Sequence, residues 1–401
     1  MIKIDNLLRQ TVKDFISEIF ESLHTKNIMS ITSIILGILD SKSIKISDIG
    51  RSIAELGGTS DSSGIAQVDR LLRNQKIDIN QLMLAWSSFL TKDLDEIRVN
   101  LDWTEFDSDN QSTLSASLQT DSNRSIPLLW KTIYSSDKKG NMNQIEDDMI
   151  YDLAKSIGKK NGKVVIVTDR GFNDTNFMRF LKNEMGYDFT IRLRSNIYVY
   201  TTKTEGAPVY GHISKNMRPK IIKDGFITKE LFQIETIYIE EEKRKKDGSS
   251  FGCFCIVSTE EPDDSLFSYK RRFQCEETFR DIKDIRFGLG MNSTWIRQPE
   301  RRDRLLLLGS IALFLSEKTV ESTKDIGILN NNNNRPRRDG RLRFSTRSIG
   351  FRIYRLIEKV SQDQLELIAH RLRFHLFNLM EVTMKSFTKD NFAPAKLCTH
   401  A

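Results

Sequence analysis

IRVNLDWTEFDSDNQSTLSASLQTDSNRSIPLLWKTIY, residues 97–134, is the stretch that decides the fold. It holds three close-spaced β-favouring runs, Ile97 to Thr104, Thr113 to Thr120 and Ile126 to Tyr134, separated by clusters of Asp, Ser and Asn. Such short apolar runs between turn-forming residues predict three consecutive strands in an antiparallel meander. Downstream the pattern changes. A helix is expected at about Asn143 to Ile157, then a buried strand at Val164 to Val167, a short helix from near Asn173, and a strand at Phe189 to Leu193. Antiparallel strands followed by alternating helix and strand predict a mixed α/β sheet.

Residues 196–260 interrupt this alternation with strand-like Tyr198 to Thr202, Phe232 to Glu240 and Phe251 to Ser258, and a turn at Asp247-Gly248. They read as a β-rich insertion. Upstream, apolar residues recur at helical spacing in Ile16, Ile19 and Leu23 and again in Ile31, Ile34, Ile35 and Ile38, and Pro is absent. Ile46 to Ile53, a break at Gly57 to Gly64, and Ala66 to Asn74 fit a helix-turn-helix with Arg70 and Arg73 outward, and fit an ordinary helix pair equally well. The expected organisation is a helical domain at 1–92, a core in two parts at 93–195 and 261–325 around the insertion at 196–260, and an Arg-rich connector with a helical C-terminal region at 326–401, where a last helix runs from Ile349 to about Glu381.

The chain has 401 residues, with 39% hydrophobic and 29% charged residues, and a mean hydropathy of -0.41. That is a globular composition, long enough for two or three domains. The longest apolar run, Leu305 to Leu315 (LLLLGSIALFL), is too short to cross a membrane. The N-terminus MIKIDNLLRQTVKDF lacks the apolar core of a signal peptide, so a cytoplasmic protein is expected. Four Cys without a CxxC pair and five scattered His argue against a disulfide framework or a structural zinc site. Any metal would be held by oxygens.

Net charge is +7. Arginine is concentrated in RPRRDGRLRFSTR (Arg335 to Arg347) and RQPERRDR (Arg297 to Arg304). Each cluster alone fits a solvated surface; together they favour phosphate contacts, because a guanidinium binds phosphate through two donors. Nucleotide-binding loops are not supported. GKKNGK at 158–163 has the wrong spacing for a phosphate loop, and Gly288-x-Gly290 lacks the third Gly of a dinucleotide fingerprint.

Three carboxylates stand out by context. Asp102 sits between Leu101 and Trp103 in the first strand, Asp169 ends the apolar strand VVIVT, and Glu276 lies in a helical segment after the insertion. Acids at the carboxyl ends of sheet strands face the crevice where open α/β sheets bind ligands. Taken singly, Asp102 also fits an edge-strand surface acid, and Asp169 a cap on the following turn. In SYKRRFQCEETFRDIK (Ser268 to Lys283), Tyr269, Arg272, Glu276 and Lys283 fall within about 60° of one another on a single helix. A carboxylate flanked by such donors suits metal-assisted chemistry on a phosphodiester.

These residues resemble DDE transposases of the insertion-sequence-four family. Leu101-Asp102-Trp103-Thr104, Asp169-Arg170-Gly171-Phe172, and Tyr-x2-Arg-x3-Glu-x6-Lys at Tyr269, Arg272, Glu276 and Lys283 look like its three motif blocks, in order, over about residues 95–320. The last block matches the Y-R-E-K signature at every spacing. The resemblance implies a ribonuclease-H-like fold and a cut-and-paste transposase, in which Asp102, Asp169 and Glu276 are catalytic and bind two Mg2+ ions, with Mn2+ able to substitute. It implies DNA contacts from Tyr269, Arg272 and Lys283, with Arg170 and Arg271 beside them.

The implied partners are terminal inverted repeats and target DNA, the assembly a homodimer in the synaptic complex, and the setting a bacterial, nucleoid-associated cytoplasmic one. Relatives cut the second strand through a hairpin, with a base flipped against an aromatic, in some cases a Trp of the insertion. This chain has no Trp between residues 131 and 294, so a flipped base would stack on Tyr198, Tyr200, Tyr210 or Phe251, or the role lies elsewhere. The alternatives are a ribonuclease-H-like nuclease without strand transfer and a non-catalytic DNA-binding repressor.

Overall fold

The computed structural model describes residues 2–158, 162–213, 218–242, 252–324, 326, 328, 344–357 and 359–378. The Asn330 to Asn334 run, the arginines from Arg335 to Arg343, the Asp247-Gly248 turn, Phe251, Cys398 and the chain after residue 378 lie outside the described residues.

Five helices come first: α1 (Ile2–Ile19), α2 (Thr25–Ser41), α3 (Ile46–Gly57), α4 (Asp61–Arg73) and α5 (Ile79–Thr91). Ser60 and Asp78 cap α4 and α5 with side-chain oxygens on free backbone N–H groups, the role short polar residues play at helix starts. Helices α3 and α4 cross closely because Gly50 and Gly64 meet. A Cβ on Gly64 would lie 2.0 Å from the Gly50 carbonyl oxygen.

The expected meander follows as β1 (Glu96–Phe106), β2 (Gln111–Leu118) and β3 (Ile126–Tyr134). After it come α6 (Ser135–Lys138), α7 (Met142–Ile157), β4 (Lys163–Thr168), α8 (Thr175–Arg179) and β5 (Asp188–Arg192). Strand β4, KVVIVT, is buried from its second residue onward, as a parallel strand covered on both faces must be. It runs parallel to β1, with Leu101 opposite Thr168, and β5 runs parallel to β4. The order β3-β2-β1-β4-β5, with β1 to β3 antiparallel, is a mixed α/β sheet of ribonuclease-H-like architecture.

The next strands are β6 (Tyr198–Tyr200), β7 (Gly206–Pro208), β8 (Lys220–Ile227), β9 (Phe232–Glu242) and β10 (Gly252–Ser258). Strand β10 pairs antiparallel with β5, and the sheet continues β10-β9-β8-β6-β7 to ten strands. The insertion strands therefore widen the core sheet. Strands β7 and β8 have little hydrophobic alternation to announce them; β8, KIIKDGFI, buries only Ile222, Gly225 and Ile227 fully.

Helices α9 (Pro262–Arg271), α10 (Phe273–Lys283), α11 (Pro299–Ser322), α12 (Thr346–Ile357) and α13 (Gln362–Phe377) complete the chain. The apolar run Leu305 to Leu315 forms the middle of α11 and is buried all round, the property of a central core helix. Among the described residues no helix is long and apolar enough to cross a membrane.

The arginine clusters have a different role from phosphate contact where they are described. Arg302 is fully buried, ion-paired with Asp109, bonded to Gln111 and the Ile296 carbonyl, and 4.0 Å from the Phe106 ring. Arg301 pairs with Asp69 at 2.6 Å, and Arg304 donates to the Ile77 carbonyl at 3.3 Å. Arg347 is buried, donating to Glu317 at 2.7 Å and to the Ser125 carbonyl at 2.8 Å. These guanidiniums satisfy internal acids and carbonyls, and among the described residues of the two clusters the expected surface role is left to exposed Arg297.

Candidate active site

Two neighbouring parallel strands aim their carboxyl ends at one cleft. Asp102 follows Leu101, the last β1 residue paired with β4, and Asp169 follows Thr168, the last residue of β4. Helix α10 lies across these ends and brings Glu276. All three acids line a cleft of about 480 Å³ with Trp103, Thr104, Arg272, Phe279, Arg280, Lys283, Asp284 and Asn292.

The back of α10 explains its placement. Gln274 donates to the Thr120 and Ser122 carbonyls at 2.8 and 2.6 Å, Thr278 to the Ser125 carbonyl at 2.9 Å, and Arg124 meets Glu277 at 3.2 Å and Asp281 at 2.7 Å. That face is tied to the β2–β3 connection, so Arg272, Glu276, Arg280 and Lys283 are turned to the cleft. Helix α9 is anchored through a second buried network. Glu260 bonds Arg98 at 2.9 Å, Lys163 at 2.6 Å and Ser268 at 3.2 Å. Burial opposes its charge, yet Arg98 and Lys163 hold the Glu260 carboxyl below its ordinary value.

The single helix expected across Ser268 to Lys283 is two helices that meet at Arg272. There the N–H of Arg272 bonds the Tyr269 carbonyl and that of Cys275 bonds the Arg272 carbonyl, both three residues back, a local tightening of the helix. Tyr269 stays close to the site, with the Arg272 guanidinium 5.9 Å from its ring and the Asp169 charge acting on its phenol. It packs edge-on against Phe254 at 5.2 Å, does not line the cleft, and burial raises its phenol pKa.

Arg272 occupies the centre of the acid group. Its guanidinium reaches Asp102 Oδ2 at 3.3 Å and Glu276 Oε1 at 2.5 Å. Burial pushes the Asp102 carboxyl up to about 6; Arg272 opposes the rise and the nearby acids Asp169 and Glu276 add to it. Cys275, one residue before Glu276 and unremarked in the sequence, is buried with its Sγ 3.4 Å from Asp102 Oδ2. Asp169 does cap the following turn: its Oδ1 accepts from the Gly171 N–H at 2.8 Å. Capping and lining the cleft are compatible, because the cap uses one of two oxygens.

Lys283 closes the far side. It donates to the Glu105 carbonyl at 2.5 Å and stands 4.4 Å from the Phe106 ring, and burial brings its pKa down to about 8. Arg271 is engaged by Asp121 at 3.0 Å and lies over the Phe267 ring at 4.4 Å, whereas Arg170 is exposed beside Asp169. Tyr198 and Tyr200 pair at 6.2 Å on β6, four strands beyond β5, and neither they nor Tyr210 line the cleft.

The donor set is all carboxylate, which suits a hard divalent cation such as Mg2+. Among the described residues no three acidic, His or Cys side chains form a closed metal cluster. The Arg272 guanidinium lies between two of the acids, Asp102 and Glu276, and pairs with both.

Acids at the ends of two neighbouring parallel strands and on the helix across them thus share one cleft. Residues 139–315 match the family model described as Transposase DDE domain, a span that contains Asp169 and Glu276 and follows Asp102. The matched span is less than half of the chain. No curated protein matches the chain. Among solved structures, a piggyBac transposase synaptic complex with hairpin DNA is similar at a TM-score of 0.45 and 11% identity, over 98% of this chain and 88% of that one.

Proposed function

We propose that this chain is a cut-and-paste DNA transposase related to the insertion-sequence-four family, with Asp102, Asp169 and Glu276 as its catalytic, metal-holding acids. The observation that carries the reading is that these acids, far apart in sequence, line one cleft with Arg272 bridging two of them. The substrate is a DNA phosphodiester at the ends of the element. Arg272, Arg280 and Lys283 ring the cleft with positive charge and hold phosphate oxygens on either side of the acids. Arg170, exposed at the cleft's edge, extends that grip along the strand.

The three carboxylates would hold two Mg2+ ions, with Mn2+ able to substitute, and the ions would supply Lewis-acid stabilisation of attacking and leaving oxygens. The chain's own part is positional. The buried Glu260 network and the Gln274 contacts fix α9 and α10 against the sheet, so the acids stay aligned while Arg272 exchanges Glu276 for a phosphate. Water cuts one strand, and the freed 3′-hydroxyl then attacks target DNA. The helices of residues 1–92, with exposed Arg70 and Arg73 on α4, bind the terminal inverted repeats, and a homodimer pairs two ends. A hairpin intermediate fits this scheme as the route to second-strand cleavage.

The test is a nicking and strand-transfer assay with Mg2+ on DNA carrying the element's ends. Asp102→Asn, Asp169→Asn and Glu276→Gln should each abolish nicking while end binding persists. Nicking without strand transfer in the unaltered chain would assign a simple nuclease, and end binding without nicking a repressor.

A further inference from the structure

We propose that Phe287 and Trp295 form a stacking ledge at the mouth of the cleft, which takes unpaired bases of the DNA strand whose phosphates lie against Arg280 and Lys283. The inference rests on the DNA-processing reading above and adds a site to it.

The two aromatics belong to the segment joining α10 to α11, whose Asp284 and Asn292 line the cleft. Phe287 is 65% exposed and Trp295 72%. The other tryptophans are placed differently. Trp86 and Trp130 are buried, and Trp103 donates its indole N–H to Glu146 at 2.8 Å. An aromatic ring held in water forgoes a large burial gain, so its display calls for a partner that covers it.

The segment that displays them is pinned. The N–H groups of Arg286 and Phe287 both bond Asp284 Oδ1, at 2.6 and 2.8 Å. Gly288 follows, where a side chain would lie 2.1 Å from the Asp281 carbonyl oxygen, and buried Leu289 accepts from the Ile44 N–H at 2.9 Å. Trp295 stands between buried Met291 and buried Ile296, and the Ile296 carbonyl accepts from Gln111 at 3.2 Å and Arg302 at 3.1 Å. Between these anchors Trp295 adopts a φ of +54°. That backbone region is strained for a non-glycine residue and persists only where its surroundings impose it. The result is a ring turned outward on a fixed base.

The chemistry of the surroundings selects the occupant. Exposed Arg286 adjoins Phe287, and exposed Arg297 lies two residues after Trp295. Aromatic faces interleaved with guanidiniums, next to a cleft that Arg280 and Lys283 also line, are how single-stranded nucleic acid is held: bases stack and phosphates pair. A protein partner would instead favour an interface core poor in charge.

The experiment uses the full chain with an oligothymidylate, a blunt mixed-sequence duplex, and iodide as a quencher of tryptophan fluorescence. Iodide quenching that is present in the unaltered chain and absent from Trp295→Phe reports Trp295. That component should vanish on saturation with oligothymidylate. Trp295→Ala and Phe287→Ala should each weaken oligothymidylate binding at least about fivefold and duplex binding less than about twofold, whereas Trp295→Phe keeps most of the affinity.

Continued iodide access to Trp295 in the saturated complex, with Ala variants binding as the unaltered chain does, would overturn the ledge and leave the DNA reading intact. So would protection of Trp295 that depends on protein concentration alone, which would make this face an interface between copies. Failure to bind either DNA would overturn both.

Discussion

The cleft and the first turns of α11 both gather arginine and acid, and they use them in different ways. At α11 each described guanidinium past Arg297 is consumed internally, Arg301 by Asp69, Arg302 by Asp109 and Gln111, and Arg304 by a carbonyl. At the cleft, Arg272, Arg280 and Lys283 border an open volume shared with three carboxylates. Charge density along a sequence therefore says little about a polyanion site. The cleft cations are paired too, Arg272 with Asp102 and Glu276 and Arg280 with Glu277, so what distinguishes the regions is whether the paired charges border an open volume.

The largest effect expected from this contrast is on stability at α11. Arg302→Ala leaves Asp109, whose side chain is 2% exposed, as an unpaired buried charge, a change that typically costs ~3–5 kcal/mol. Chemical denaturation should show that loss, and the folded fraction should bind DNA with unchanged salt dependence. A lower salt slope would mean that Arg302 reaches phosphate after all.

Arg272→Ala sharpens the other side. Removing the cation that bridges Asp102 and Glu276 should strengthen Mn2+ binding in the absence of DNA. It should also lower the salt slope of DNA affinity by about one. Weaker Mn2+ binding would instead make Arg272 a support that the acids require.

The smallest effect concerns Asp303, in α11 beside these arginines. Burial pushes its carboxyl up to about 7, and its Oδ1 has no hydrogen-bond partner among the described residues. A raised carboxyl pKa means that the associated stability is present at low pH and is lost as pH rises from about 4 through about 7. Asp303→Asn keeps an acceptor for the Thr132 N–H, so its melting temperature should exceed that of the unaltered chain at pH 8 by roughly 2–4 °C and match it near pH 4. A gap independent of pH would exclude titration of Asp303 as the cause.

Much of this was legible in the sequence, because it lay in local pattern. The run KVVIVT reads as a doubly covered strand, the meander at residues 97–134 as alternating short strands, and the placement of Asp102 and Asp169 at strand ends follows from where those runs stop. That Tyr269 packs on Phe254 instead of lining the cleft was not legible, since helical spacing carries no mark of the tightening at Arg272. Nor was the internal role of Arg302 and Arg347. Asp109 becomes a neighbour of Arg302 only when the sheet packs on α11, and Glu317 of Arg347 only when α12 packs on α11. Strands β7 and β8 escaped for a related reason, being edge-side elements with few buried residues to impose a period of two.

The central claim is that Asp102, Asp169 and Glu276 share one divalent-cation site. Electron paramagnetic resonance of Mn2+ titrated into the unaltered chain and into Asp102→Asn, Asp169→Asn and Glu276→Gln tests it without any DNA. Each substitution should weaken Mn2+ binding by at least the ~10–100-fold that even an outer-shell partner is worth. Mn2+ binding of unchanged affinity and stoichiometry in any one of the three would remove that acid from the site and contradict the account.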